Sequence, residues 1–545
     1  MLAKESFIKG TLIIAAATLV TRFLGLFQRV PLEHMLGAVG NAAFATSQNV
    51  YLLILAVATA GIPSTLSKMV SERYALNQVY EAERIYRAAL LFGLISGFVV
   101  TVLLVLLAPA YGAVSKQPEA VLAIRSLAPA LLLFPMLAMM RGYTQGRNMM
   151  QASGVSQIVE QILRVVTAIG LAYVLMATGQ NQEIIAAGAS FGGVLGSIGA
   201  FAVMIYYLRK LRRMDREAGV RARREGREHL KTSKIFASIF TLSIPIVLAS
   251  LAVPVVNFVD STITVPLLSP EVGEETAKYL YGILGQRAQS IAGIPPILAI
   301  ALSTSLIPII SSAYAKRDMD HLKRQISLAM RISVLSGMPI VLALSVSAYS
   351  VNGLIFSTLD GAGIIAMLTL GTIFQITMMT SSSILIGLGK PDIAMISVIL
   401  GMIIKLATSF LFARFFGIYG IILGTMLSFL IITYLNLRVM KKIVPFAVIG
   451  KRWPGFILAT VLAGGVGYGI EWIGEWIANL PAVPDKIAFF FTAGIASLVV
   501  LIVFLMGLIL FRVIRENEMG SYPRMVQKAL RPFMRLQRQR TGLRG

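Results

Sequence analysis

The sequence predicts an all-α polytopic membrane protein with fourteen transmembrane helices, on three observations. Of its 545 residues, 57% are hydrophobic and 14% charged, with a mean hydropathy of +0.79, whereas soluble domains carry about a quarter charged residues. Apolar runs of about 20 residues, each long enough to cross a hydrocarbon core as a helix, recur along nearly the whole length. The alternating segments of about ten residues that build an outer-membrane barrel do not occur.

Reading apolar runs against polar breaks places six spans near 8–30, 42–64, 88–110, 120–140, 154–177 and 184–208. Lys4 and Lys9 followed by an apolar run imitate a signal peptide, but the run continues past Arg22 to Phe27, so it reads as an uncleaved first span. Spans resume near 235–259, 277–313, 326–350, 361–387, 393–414 and 418–437, with a last pair near 454–473 and 487–511. The eighth is too long for one crossing and contains Gly293, Pro295 and Pro296, which predicts a break or bend there.

Orientation follows from Lys and Arg, which cytoplasmic loops retain. With the N-terminus inside, most of the 49 Lys and Arg fall in cytoplasmic segments, while outer loops carry acids such as Glu271, Glu274, Glu275, Glu475 and Asp485. An even number of spans puts both termini in the cytoplasm. The net charge of +24 is therefore mainly topological, and no nucleic-acid partner is inferred from it. The basic segment Arg209–Lys234 and the tail from Arg512 could also hold anionic lipid headgroups. In the tail, Val526, Leu530, Phe533 and Met534 fall at helical spacing among arginines, as in an interfacial helix.

The layout is an N-lobe (1–208), a basic inter-lobe loop (209–234), a C-lobe (235–442), a final helix pair (443–511) and a basic tail (512–545). A weak repeat relates the lobes: a Pro near a cytoplasmic exit at Pro63 and Pro308, and loops Gln145-Gly146-Arg147-Asn148 and Leu388-Gly389-Lys390-Pro391. Parallel repeats of this kind frame a substrate cavity between them.

Charges inside spans are costly and need a partner or a wet cavity. Glu160 and Arg164, four apart on one helix face, read as a structural pair; Arg125 and Arg414 near span ends read as snorkelling. Arg22 and Arg29 are seven apart on one side of the first span, with Arg287 in the eighth. Three guanidiniums on one cavity would suit a phosphate or pyrophosphate, as planar bidentate donors that stay charged. Bonding to backbone carbonyls or to Glu33 is the structural alternative. Asp260 and Lys405 read either as a buried ion pair or, for Asp260, as part of cation coupling.

Other patterns carry no chemistry. Gly188-Ala189-Ser190-Phe191-Gly192 matches a nucleophile elbow but lies inside a span, where Gly192, Gly196 and Gly199 instead permit close helix packing. His34, His229 and His321 are scattered, which argues against a metal site. With no cysteine, thiolate chemistry and disulfides are excluded, and no P-loop pattern suggests an ATP-driven pump.

Thr21-Arg22-Phe23-Leu24-Gly25, Gly285-Gln286-Arg287, Gly293-Ile294-Pro295 and Ser305-Leu306-Ile307-Pro308 resemble the lipid II flippases of the MurJ/YtgP type, related to stage V sporulation protein B within the polysaccharide-exporter branch of the MOP superfamily. The resemblance covers essentially the full length. It implies transport of undecaprenyl-pyrophosphate-linked disaccharide pentapeptide from the inner to the outer leaflet by alternating access, in the cell membrane and without enzymatic activity. The family's cavity arginines correspond to Arg22 and Arg287; a further one aligns at Gln28, with Arg29 next to it. A family sodium site involving an acid in the seventh span would match Asp260, with Lys405 a fixed charge in its place. The last helix pair would form a groove for the lipid tail, fitting Gly464, Gly465, Gly467 and Gly469. No cofactor is expected; coupling would draw on membrane potential, sodium or protons. The expected partners are the lipid-linked precursor and membrane lipids, for a monomer that could work beside the cell-wall machinery. Two rival readings are a flippase for another lipid-linked oligosaccharide, of capsule, exopolysaccharide or spore envelope, and a cation-coupled drug exporter, although the cavity reads as basic. A membrane glycosyltransferase would need a catalytic acid in a sizeable outer loop, and the outer loops here are short.

Overall fold

The computed structural model of the protein describes residues 2–59, 62–76, 78–147, 149–217, 244, 247–356, 358–478 and 484–514. Every regular element among them is helical. The chain packs as two compact units, residues 1–286 and 287–545. Most of the basic segment 209–234 and nearly all of the tail, with its expected interfacial helix, lie outside the described residues.

In the first unit, α1 (Leu2–Thr59) is two helices joined at Gly37, whose φ of 67° and ψ of −177° belong to a region that only glycine enters readily. A helix that restarts has amide groups with no carbonyl to bond. The Val39 and Gly40 amides donate instead to Gln182 Oε1, at 3.0 and 3.2 Å. There is no room for a side chain at the corner, because a Cβ on Gly37 would stand 2.6 Å from Gln182 Nε2. The chain continues through α2 (Ile62–Ala75), α3 (Val79–Val114), α4 (Ala120–Gly146), α5 (Met150–Ala177), α6 (Gln182–Glu217) and α7 (Ala252–Val272). Helix α4 packs against α1, α2, α3 and α6, and α5 against α1 and α6. Leu32, Leu36, Tyr51, Leu127 and Leu131 lie in their shared core.

Helix α7 runs well past residue 259, where polar residues suggested an end. Ser261 Oγ and Thr262 Oγ1 both donate to the Phe258 carbonyl, and Thr264 Oγ1 donates to that of Asp260 at 2.6 Å. Hydroxyls satisfied by their own helix do not terminate it in lipid.

The eighth span is broken, as Gly293, Pro295 and Pro296 suggest. It comprises α8 (Glu274–Gly282), a π-turn (Ile283–Ala288), the short α9 (Gln289–Ala292) and, after the break, α10 (Pro296–Ala315). Pro296 opens α10, a position where its missing N–H costs nothing.

The second unit continues through α11 (Met319–Val346), the short α12 (Ala348–Phe356), α13 (Ala362–Gly387), α14 (Pro391–Phe416), α15 (Ile418–Ile443), α16 (Trp453–Ala478) and α17 (Asp485–Leu510). Helix α13 packs against α10, α11 and α15, and the α16–α17 pair against α11 and α12. Phe456, Ala463, Val500 and Phe504 close the core of that pair.

Among the described residues, eleven helices are long and apolar enough to cross a membrane. They match the third to seventh and ninth to fourteenth expected spans, and the two halves of α1 with the broken eighth are compatible with a total of fourteen. Outward faces are apolar, as at Leu91, Phe98 and Leu106 on α3 or Phe490 and Leu498 on α17. Helix α16 exposes Trp453 at one end and Tyr468, Trp472 and Trp476 toward the other, the placement of aromatic belts at membrane interfaces.

Replacing Gly37 by Ala forces a side chain into that backbone region and against Gln182. The expected loss is about 1–3 kcal/mol, measurable as a lower unfolding temperature in detergent, with little change from Gly465→Ala, where nothing lies within 4 Å of the added carbon.

Candidate functional site

The π-turn contains Arg287, one of the candidate site residues. A π-turn widens the helix by one residue per turn and detaches carbonyls from their usual donors, and such turns are common at functional sites. Two of the arginines singled out above attend to carbonyls around it. In the first unit, Arg29 Nη1 donates to the Gln286 carbonyl at 3.3 Å. In the second, Arg287 is itself a residue of the turn, 9% exposed, and its Nη1 donates to the Asp360 carbonyl at 3.4 Å. That carbonyl also receives Asn352 Nδ2 at 2.9 Å. Bonding to backbone carbonyls, the structural alternative raised for these arginines, thus occurs for both. Arg22 lies on α1 two turns before Arg29, and its side chain falls outside the described residues. Gln28, where the resemblance places a further family arginine, is buried.

Glu160 and Arg164 pair as their spacing suggests, Nη2 to Oε1 at 3.1 Å. The other carboxylate oxygen is taken by Arg141 at 2.8 Å, so one acid serves two guanidiniums and the group keeps a net positive charge. Arg164 also donates to the Tyr51 hydroxyl at 3.2 Å and lies over the Tyr51 and Phe134 rings. Arg141 was not legible as a member, because it sits at the expected edge of the fourth span and only the extension of α4 to Gly146 brings it to α5. Close approach of α6 fixes the arrangement: a Cβ on Gly192 or Gly196 would stand 2.6 Å from the Arg164 carbonyl or 2.7 Å from that of Glu160.

Asp260 is buried on α7, in the first unit. Lys405 is fully buried on α14, and its ammonium donates to the Ile421 carbonyl at 2.8 Å and Thr425 Oγ1 at 2.7 Å, both on α15. It is a positive charge held by neighbouring oxygens within the second unit. Ser190, inside helix α6, meets Ser47 Oγ of α1 at 3.0 Å, with none of the strand-to-helix geometry a nucleophile elbow needs. No cluster of metal-ligating residues occurs among the described residues.

Two further ionic groups escaped the sequence reading. At the start of α8, Lys278 bonds Glu274 at 2.9 Å and Glu119 of the α3–α4 connection at 2.8 Å; the ammonium holds the exposed Glu274 carboxyl below its ordinary range. In the final helix pair, Glu471 is 5% exposed on α16. Its signal was a lone acid inside an apolar run, hidden by the outer-loop acids around it.

The sequence profile of the family described as "Polysaccharide biosynthesis protein" matches residues 7–314. The chain is 26% identical over 492 residues to "Lipid II flippase MurJ" of Bacillus subtilis, covering 86% of this chain and 88% of that protein. It is 23% identical over 532 residues to "Stage V sporulation protein B" of the same organism, covering 96% and 98%. Among solved structures, the fold is similar to a multidrug resistance MATE family transporter of the MOP superfamily in an inward-facing conformation, with a TM-score of 0.62 and 15% identity over 77% of this chain and 94% of that one.

Replacing Glu160 by Gln removes the shared counter-charge of two largely buried guanidiniums. Breaking such a group costs about 3–5 kcal/mol, so the variant should unfold at a markedly lower temperature than the wild type in detergent, whereas Arg125→Gln at the exposed edge of α4 should not.

Proposed function

The chain belongs to the polysaccharide biosynthesis protein family, and from that premise we propose that it is a flippase carrying lipid II, an undecaprenyl-pyrophosphate-linked precursor, from the inner to the outer leaflet of the cytoplasmic membrane. The observation that carries the proposal is the placement of arginines in apolar spans around broken backbone, Arg29 on α1 and Arg287 in the π-turn. A diphosphate offers several charged acceptors, and the planar guanidinium fork, charged at any relevant pH, matches them by exchanging partners. Arg22 is the third arginine of this proposal, two helical turns before Arg29 in the sequence. The sugar-peptide head would occupy a cationic cavity while the prenyl chain stays in lipid. The α16–α17 pair would accommodate that chain beside Gly465 and Gly469, next to which the structure leaves open space.

In this reading both termini are cytoplasmic, and the protein is a transporter without catalytic residues, working as a monomer beside cell-wall synthesis enzymes. Transport alternates access between two lobes. Membrane potential, sodium or protons reset the empty carrier, with Asp260 and Lys405 as the internal charges such coupling would act on. Similarity to the sporulation protein over 96% of the chain supports a second cargo reading, another lipid-linked oligosaccharide sharing the same diphosphate. The MATE likeness concerns the fold; a basic site disfavours the cationic drugs an exporter of that type would carry.

The test is translocation in cells depleted of their own lipid II flippase, scored beside export of a capsule polymer. Wild type should restore precursor translocation. Arg22→Ala and Arg287→Ala should insert at normal abundance and lose it by tenfold or more, about 1.4 kcal/mol or more in the limiting step. Full activity in both variants overturns the cationic site, and rescue of capsule export alone overturns the cargo.

A further inference from the structure

Glu471 holds a carboxyl inside the packed interface of α16 with α12, seven residues before α16 ends. One oxygen, Oε1, accepts the Ser350 amide of α12 at 2.7 Å. The other, Oε2, is buried with no hydrogen-bond partner, and Ser350 Oγ beside it is likewise unpartnered. No Lys or Arg pairs with Glu471 among the described residues. The titratable groups that interact with it electrostatically are Glu475 on α16 and Tyr349 on α12, neither of them a cation; Thr492 on α17 is buried against Gly474. Burial is the main influence on this carboxyl and opposes its charge, outweighing the Ser350 amide and hydroxyl that favour it, and Glu475 adds to the opposition. A proton on Oε2 removes the charge and gives the oxygen a donor to turn toward Ser350 Oγ. A metal ion is a poorer occupant, since two oxygens and an inward-pointing N–H fall short of the six or more oxygens hard cations gather.

The carboxyl is also mechanically connected. Ser350, capped by Glu471, lies two residues from Asn352 on the nine-residue helix α12. Asn352 Nδ2 grips the Asp360 carbonyl, and Arg287 Nη1 bonds the same oxygen. From Glu471 to Arg287 there are therefore three hydrogen bonds and one short rigid helix, all in the second unit.

We propose that Glu471 is a proton-binding site of the second unit, and that loss of its proton moves α12 and, through Asn352 and the Asp360 carbonyl, changes how Arg287 is held. The coupling half rests on the reading of Arg287 as a diphosphate ligand; the protonation half does not. Charging Glu471 tightens its hold on the Ser350 amide and draws α12 toward α16, which displaces the carbonyl that restrains the guanidinium.

The experiment uses the full chain in liposomes and has two readouts. Infrared difference spectra are recorded across pH for wild type, Glu471→Gln and Glu471→Asp; Gln keeps both the acceptor for the Ser350 amide and a donor on the other atom. A protonated-carboxyl band present in wild type at neutral pH, lost in Glu471→Gln and shifted in Glu471→Asp is expected. Identical bands in wild type and Glu471→Gln overturn the proposal, as does a band that sodium abolishes at constant pH, which would make this a cation site. The second readout is binding of undecaprenyl pyrophosphate across the same pH range. Wild type should change affinity at least threefold, and Glu471→Gln should bind with no pH dependence. An unchanged pH dependence in Glu471→Gln overturns the coupling. Undiminished binding by Arg287→Ala would instead overturn the ligand role of Arg287, leaving the infrared result to judge Glu471 alone.

Discussion

Inside a bilayer, a backbone amide or carbonyl that loses its helical partner has no water to turn to, and that constraint organises this molecule. At three irregular points among the described residues, a side chain bonds the exposed backbone group. Gln182 supplies the acceptor at the α1 corner. Arg29 donates to Gln286 in the π-turn, and Asn352 and Arg287 donate to Asp360 where α12 gives way to α13. The polar residues that look most functional in the sequence are also those that make irregular backbone tolerable at membrane depth.

Ionic groups follow the same economy at a larger scale. Glu160 is divided between Arg141 and Arg164, and Lys405 is satisfied by a carbonyl and a hydroxyl of α15. In the first group one carboxylate faces two guanidiniums, so a net positive charge remains within an apolar bundle.

Much of this fold was legible because hydropathy and span length are bulk properties of a segment. The break in the eighth span was legible too, since Gly293, Pro295 and Pro296 act locally. The corner at Gly37 was seen only as a gap between spans, because its partner Gln182 is distant in sequence. The end of α7 was misplaced: Ser261, Thr262 and Thr264 look like a polar boundary until their hydroxyls are seen to bond the turn before. Among the candidate polar residues, Arg287 stands out from its surroundings in the chain, whereas Arg141 and Glu471 acquire meaning only through residues on other helices. A lone acid in an apolar run carries no mark that separates an interfacial residue from a buried one.

The doubly bonded carbonyl of Asp360 has an energetic consequence. Its shorter bond comes from Asn352 and its longer one, at the limit of hydrogen bonding, from Arg287. If the guanidinium swings away to an arriving anion, the oxygen it leaves behind is not orphaned, because the amide still occupies it. The departure therefore lacks the penalty that stranding a buried acceptor would exact, and the connection after α12 keeps its anchor while the arginine changes partners.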